Sequence, residues 1–147
     1  MQAETDFPEI LPIPDALTRP YWDGAASGRL VLQRCDRCDR FWHFPVPLCP
    51  TCHQSDRLGW REVSGEGVIY SYVVIHHTRM PAFAEKLPYV VVCVELIEQE
   101  GLRLFANLLE FGPNEVRVGT EVEVCFQRVA ATIALPQFRP RSATRQK

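Results

Sequence analysis

The sequence lacks any apolar run long enough for a signal peptide or a membrane span. Glu4, Asp6, Pro8, Glu9, Pro12, Pro14 and Asp15 break up its beginning, whereas a spanning helix needs about 20 apolar residues. A cytoplasmic protein with no membrane partner is therefore expected. Net charge is also scarce, at -2 over 147 residues, which argues against strong phosphate binding by charge alone. With 46% hydrophobic and 10% aromatic residues, the chain is not disordered either. No internal repeat or low-complexity stretch occurs. No Ser/His/Asp or Cys/His signature and no glycine loop suited to cradling phosphates is visible. The length suits one compact unit, or a small ribbon attached to a domain of under about 100 residues.

What the sequence does have is two CxxC pairs, Cys35-Asp-Arg-Cys38 and Cys49-Pro-Thr-Cys52, ten residues apart. Two short knuckles closing on each other can set four thiolates at the corners of a tetrahedron, the ligand set of a structural zinc site. A pair of disulfides would need an oxidising compartment, to which nothing here directs the chain. A thioredoxin-type centre would need a single motif at a helix start beside a βαβ unit. Here the pairs flank a proline-marked turn, Pro45-Val46-Pro47. Four thiolates on one zinc carry a charge of about -2, and Arg34, Arg37 and Arg40 are placed to offset it. His43 and His53 adjoin the knuckles as alternative ligands, but with four thiols present they are expected to support the ligands from behind. Cys93 and Cys125 lie in apolar stretches and read as buried, inert thiols.

Along the chain, Thr18-Arg19-Pro20 reads as a helix start capped by Thr18, and Gly28 as its stop, which gives a short helix near 19–27. Tyr21 and Trp22 lend it an apolar face that must dock on the ribbon or on a partner. Leu30–Leu32 reads as a strand into the first knuckle. Val68–Ile75, Tyr89–Leu96, the period-two series Leu102, Leu104, Ala106, Leu108, and Val122, Val124, Phe126 read as further strands punctuated by glycines. Five or six strands in about 80 residues fit a small closed barrel, of which the five-stranded OB barrel is a common form. The boundaries expected are 1–31 for an extended segment and helix, 32–60 for the ribbon, and 61–147 for the barrel with a basic tail. That tail, from Phe126 onward, has Arg128, Arg139, Arg141, Arg145 and Lys147 and no acid. It reads as a solvated end or as a contact for phosphates or an acidic surface.

The order Pro20-Tyr21-Trp22, Gly28-Arg29-Leu30, Gln33-Arg34-Cys35-x-x-Cys38, Cys49-Pro50-x-Cys52 and Gly65-x-Gly67-x-Ile69-Tyr70-Ser71-Tyr72 resembles the DUF35 family of zinc-ribbon OB-fold proteins. Pro88-Tyr89-Val90-Val91, Arg103-Leu104, Val118-Gly119 and Leu135-Pro136-x-Phe138 extend the likeness over nearly the whole chain. The resemblance implies a mainly β protein: a short N-terminal helix, a rubredoxin-like four-cysteine zinc ribbon, and a C-terminal five-stranded OB barrel. It also implies a small partner of thiolase-superfamily proteins acting on CoA thioesters. Asp39 departs from the family's usual glycine after the second cysteine. A knuckle turn favours a left-handed residue there, which Asp tolerates better than most.

Three functions are weighed. The first is a non-catalytic accessory subunit of a thiolase, aldolase or acyltransferase, in a heterotetramer of two plus two, helping to form or cover the acyl-CoA channel. It would carry one structural zinc on Cys35, Cys38, Cys49 and Cys52 and share a CoA thioester with the partner. Expected contacts are Tyr21, Trp22, His76, Arg79, Met80, Phe83 and Arg128, with the Thr78–Pro88 connection as a lid or interface loop. The second is a single-stranded nucleic-acid-binding OB module stacking bases on Tyr70, Tyr72, Phe83 and Phe105, although strand aromatics in a small barrel are more often core. The third is independent catalysis by His76-His77, but neighbours on a strand point to opposite faces. No turnover by the isolated chain is expected.

Overall fold

The computed structural model describes residues 10–142. The chain divides into two compact units, Met1–Ser64 with Phe126–Pro136 and Gly65–Cys125 with Gln137–Lys147.

The first unit opens with α1, Arg19–Ala26. Pro20 suits its first turn, where a missing N–H costs nothing. Thr18 precedes the helix but makes no side-chain cap. Instead Asp15 Oδ1 accepts the Leu17 and Thr18 backbone N–H at 3.0 and 2.7 Å and the Thr18 hydroxyl at 2.8 Å. The capping carboxylate therefore lies one turn earlier than expected, and the hydrogen bonds from Thr18 lower the Asp15 pKa. Three antiparallel strands follow: β1 (Val31–Cys35), β2 (Arg40–Trp42) and β3 (Leu58–Glu62), in the order β2-β1-β3. Leu32 and Cys35 of β1 are fully buried. A Cβ on Gly24 would come within 2.7 Å of Val31 Cγ2, so glycine lets the helix lie close on β1.

The barrel sheet runs β6-β5-β4-β7-β8, built from β4 (Glu66–Ile75), β5 (Tyr89–Leu96), β6 (Arg103–Asn107), β7 (Glu121–Arg128) and β8 (Ala134–Pro140). A parallel bridge between Leu108 and Phe138 nearly closes it, with Leu109 N–H donating to Phe138 O at 2.7 Å. Val90, Val92, Val94 and Leu96 alternate inward on β5, and Leu104 and Phe138 join them in the core. The pairing of β4 with β5 shifts register between Ile69 and Ser71, a bulge that sharpens the strand's twist. The fold is thus mainly β, as expected. Strand β8 has no counterpart in the alternation pattern, because Pro136 and Pro140 interrupt it. Proline is tolerated at the end of a sheet, where a ladder N–H is dispensable. A four-residue helix, α2 (Pro81–Ala84), occupies the connection between β4 and β5. No helix among the described residues is long and apolar enough to cross a membrane.

Candidate metal centre and surrounding residues

Strand β1 delivers Cys35 to the first knuckle, and β2 leaves it at Arg40, five residues on. In the second knuckle, His53 N–H donates to Cys49 O at 2.9 Å and Cys49 N–H to Gln54 O at 3.1 Å. The residue after each knuckle's second cysteine is left-handed, Asp39 at φ 54° and His53 at φ 57°. The Asp39 conformation was legible from the motif. The matching role of His53 was not.

The four cysteine sulfurs lie within 4.8 Å of one another, with Cys35–Cys52 at 3.7 Å and Cys38–Cys49 at 4.0 Å. Zn–S bonds of about 2.3 Å in a tetrahedron require sulfur separations of about 3.8 Å, so the donor set fits zinc. Cys35 and Cys49 are buried, Cys38 and Cys52 half-buried. Backbone N–H groups of Cys52 and then Thr51 draw the Cys49 pKa down to about 6. Burial, followed by its thiol neighbours, pushes Cys38 up to about 12. A dication supplies the charge that lets all four ionise. With four protein ligands the metal keeps no open position to activate water, so the centre is built for structure.

The surroundings differ from expectation in several places. Arg34 is bound to Asp39 and lies 3.8 Å from Asp36, and Arg40 sits over the Trp42 ring at 5.5 Å. These two arginines answer knuckle carboxylates and aromatic faces. His43 does not support the cysteines: its ring stacks on Phe44 at 4.5 Å and meets Tyr21 at 5.4 Å, and burial lowers its pKa to about 4. Tyr21 meets Trp22 edge-on at 4.9 Å, and burial raises its pKa. The apolar face of α1 is therefore largely used on its own ribbon.

Arg128, read from sequence as a phosphate contact, donates through Nη2 to Ala26 O at 2.8 Å and through Nη1 to Ala131 O at 3.0 Å. It caps the C-terminus of α1, where carbonyls lack partners and a cation is favoured. Arg139 pairs with Glu123 at 3.0 Å, and Arg141 with Glu66 at 3.1 Å. Arg145 and Lys147 lie outside the described residues. His76, His77, Arg79 and Met80 are exposed between β4 and β5. Phe83 is half-buried, 6.0 Å from Tyr89 and under the Lys86 ammonium. Cys93 is buried as expected, whereas Cys125 is only half-buried.

Tyr70, Tyr72 and Phe105 are not core, whereas Phe138 on β8 is. Tyr70 is 50% and Phe105 71% exposed, and Tyr72 and Val73 are exposed as well. Phe105 alternates outward from buried Leu104, and Tyr70 sits at the bulge. Arg103 lies 3.6 Å over the Tyr70 ring and bonds Glu95 at 2.9 Å. The charge of Arg103 beside these aromatics is therefore met by Glu95.

Two family profiles cover most of the chain: the rubredoxin-like zinc ribbon domain of ChsH2 at residues 22–58, and the C-terminal OB-fold domain of ChsH2 at residues 60–127. A DUF35 domain-containing scaffold protein of Methanothermobacter thermautotrophicus is 34% identical over 100 residues, covering 68% of this chain and 73% of that protein. The chain belongs to the DUF35 family. This DUF35 chain is also 40% identical over 122 residues to a probable enoyl-CoA hydratase alpha subunit of Thermomonospora curvata, covering 82% of this chain. It spans only 36% of that relative's length. Among solved structures, a chain of the Ltp2-ChsH2(DUF35) aldolase superposes with a TM-score of 0.78 at 37% identity, covering 88% of this chain and 98% of that one.

Proposed function

We propose that this DUF35 protein is a non-catalytic accessory subunit of a thiolase-superfamily enzyme acting on CoA thioesters. The observation that carries the reading is the match, over 88% of this chain and 98% of that one, to a chain of the Ltp2-ChsH2(DUF35) aldolase. The metal centre agrees with it, since a filled tetrathiolate fixes the ribbon and leaves catalysis to the partner. One structural zinc on Cys35, Cys38, Cys49 and Cys52 belongs to this reading. So does an assembly of two copies on a dimeric enzyme, because closed symmetric oligomers are the rule. Helping to shape the acyl-CoA channel is the finer part of the proposal, with exposed Arg79 and Met80 as contacts. Six cysteines with no disulfide between them suit a reducing, cytoplasmic setting.

The exposed Tyr70, Tyr72 and Phe105 favour a second reading, single-stranded nucleic-acid binding. The charge pattern weighs against it, because Arg103 is bound by Glu95, whereas stacking platforms work beside free cations. Exposed aromatics whose neighbouring cation is already paired suit a protein surface better. The test is reconstitution: adding this chain to its cognate thiolase-superfamily enzyme should raise or redirect turnover of a CoA thioester. Unchanged kinetics and no stable complex would overturn the proposal.

A further inference from the structure

Beside the metal centre lies a cleft of about 370 Å³ lined by Asp36, Arg37, Gln54 and Arg57. All four lining side chains end in polar or charged groups. Arg37 and Arg57 are exposed. Among the described residues Arg37 makes no hydrogen bond or ion pair, and Arg57 approaches Asp56 only at 3.7 Å. Asp36 could repel an anion here, but Arg61 Nη2 bridges both of its oxygens at 3.0 and 3.1 Å. The cleft thus offers two guanidinium groups and a carboxamide against one carboxylate that is already paired. The two sides come from different knuckles, joined where Asp36 N–H donates to Arg57 O at 2.9 Å.

We propose that this cleft binds a phosphate group, with Arg37 and Arg57 as charge-assisted donors and Gln54 as the third. A carboxylate is satisfied by one planar guanidinium, whereas the three terminal oxygens of a phosphate monoester match donors from three side chains. The phosphate can be free or carried by a nucleotide-like molecule. The competing duty for these arginines is to offset the negative tetrathiolate, and the experiment separates the two.

Zinc-loaded full chain, labelled with ¹⁵N, is titrated at constant ionic strength with inorganic phosphate, adenosine 3′,5′-bisphosphate, adenosine and acetate. Saturable amide shifts confined to Arg37, Gln54 and Arg57 are expected with the two phosphates and not with adenosine or acetate. Tighter binding of the bisphosphate identifies a nucleotide-like source, and equal binding identifies free phosphate. Arg37→Gln with Arg57→Gln should weaken binding about tenfold or more while leaving zinc content unchanged, and Gln54→Ala should weaken it less. Absence of a saturable response, an equal response to acetate, or an undiminished response in the double variant overturns the assignment. Loss of zinc from the double variant with no phosphate response in the parent shows that the arginines serve the metal's charge instead.

Discussion

The Gln33 side chain holds both backbone groups of Val46: Nε2 donates to Val46 O at 2.9 Å, and Oε1 accepts Val46 N–H at 2.8 Å. Gln33 is 4% exposed, so this amide clamp ties the turn between the two knuckles to β1 in a place where water cannot replace it. Gln33→Ala strands two backbone groups and should cost about 2–3 kcal/mol, measured by denaturant unfolding of the zinc-loaded protein. A loss below about 0.5 kcal/mol, the range of ordinary surface substitutions, would mean the clamp is idle.

Removal of the metal should unfold the ribbon, since structural zinc contributes about 10–16 kcal/mol of apparent binding energy to such folds. One zinc per chain is expected, and Cys35→Ser should release it. A folded, monodisperse Cys35→Ser protein without metal would count against the site.

Asp39 should respond to substitution according to its backbone, φ 54°. Asp39→Val places a β-branched residue in the left-handed region and should cost about 1–2 kcal/mol. Asp39→Gly should sit near the parent, because an exposed ion pair with Arg34 is worth little. Zinc loss to a chelator should be faster for the valine variant alone; equal rates for the two would contradict the turn geometry.

Acid should weaken the first unit partly through His43. Its folded pKa of about 4 lies below the unfolded value of about 6.5. Above the unfolded value the imidazole is neutral in both states and costs nothing. As the pH falls through the window down to about 4, the unfolded chain takes up the proton first, and stability drops by about 2–3 kcal/mol. Acid release of zinc acts in the same direction, so the decisive comparison is His43→Phe, whose stability should fall less over this window. Identical pH slopes would remove His43 from the account.

Arg128→Ala should destabilise the first unit by about 1 kcal/mol, because Ala26 O at the end of α1 loses its cap. If Arg128 instead held a CoA phosphate, its loss would lower affinity for the thioester at unchanged stability.

The readability of this chain follows the range of the forces involved. The knuckles were legible because four thiolates on one metal demand a fixed spacing, and β5 because its run of β-branched valines favours a pleated strand. The left-handed Asp39 followed from the turn that the motif requires. Strand β8 was hidden because its prolines erase the local signal, and its place is set by pairing with the preceding β7 and by the bridge from Phe138 back to Leu108, which is distant in sequence. The bond from Arg128 to the end of α1 was hidden too, since its acceptor Ala26 is 102 residues away. Tyr70 and Phe105 were misplaced because aromatic content gives no information on which side of a barrel wall a residue faces. Strand parity gives that information only once the Ile69/Ser71 bulge is known.

Affinity purification of the tagged protein from its native cells, followed by mass spectrometry after a salt wash, tests the central claim most directly. The account predicts a thiolase-superfamily protein at an abundance comparable to the bait. Recovery of nucleic acid or ribosomal proteins, with no enzyme of CoA-thioester metabolism, would contradict it.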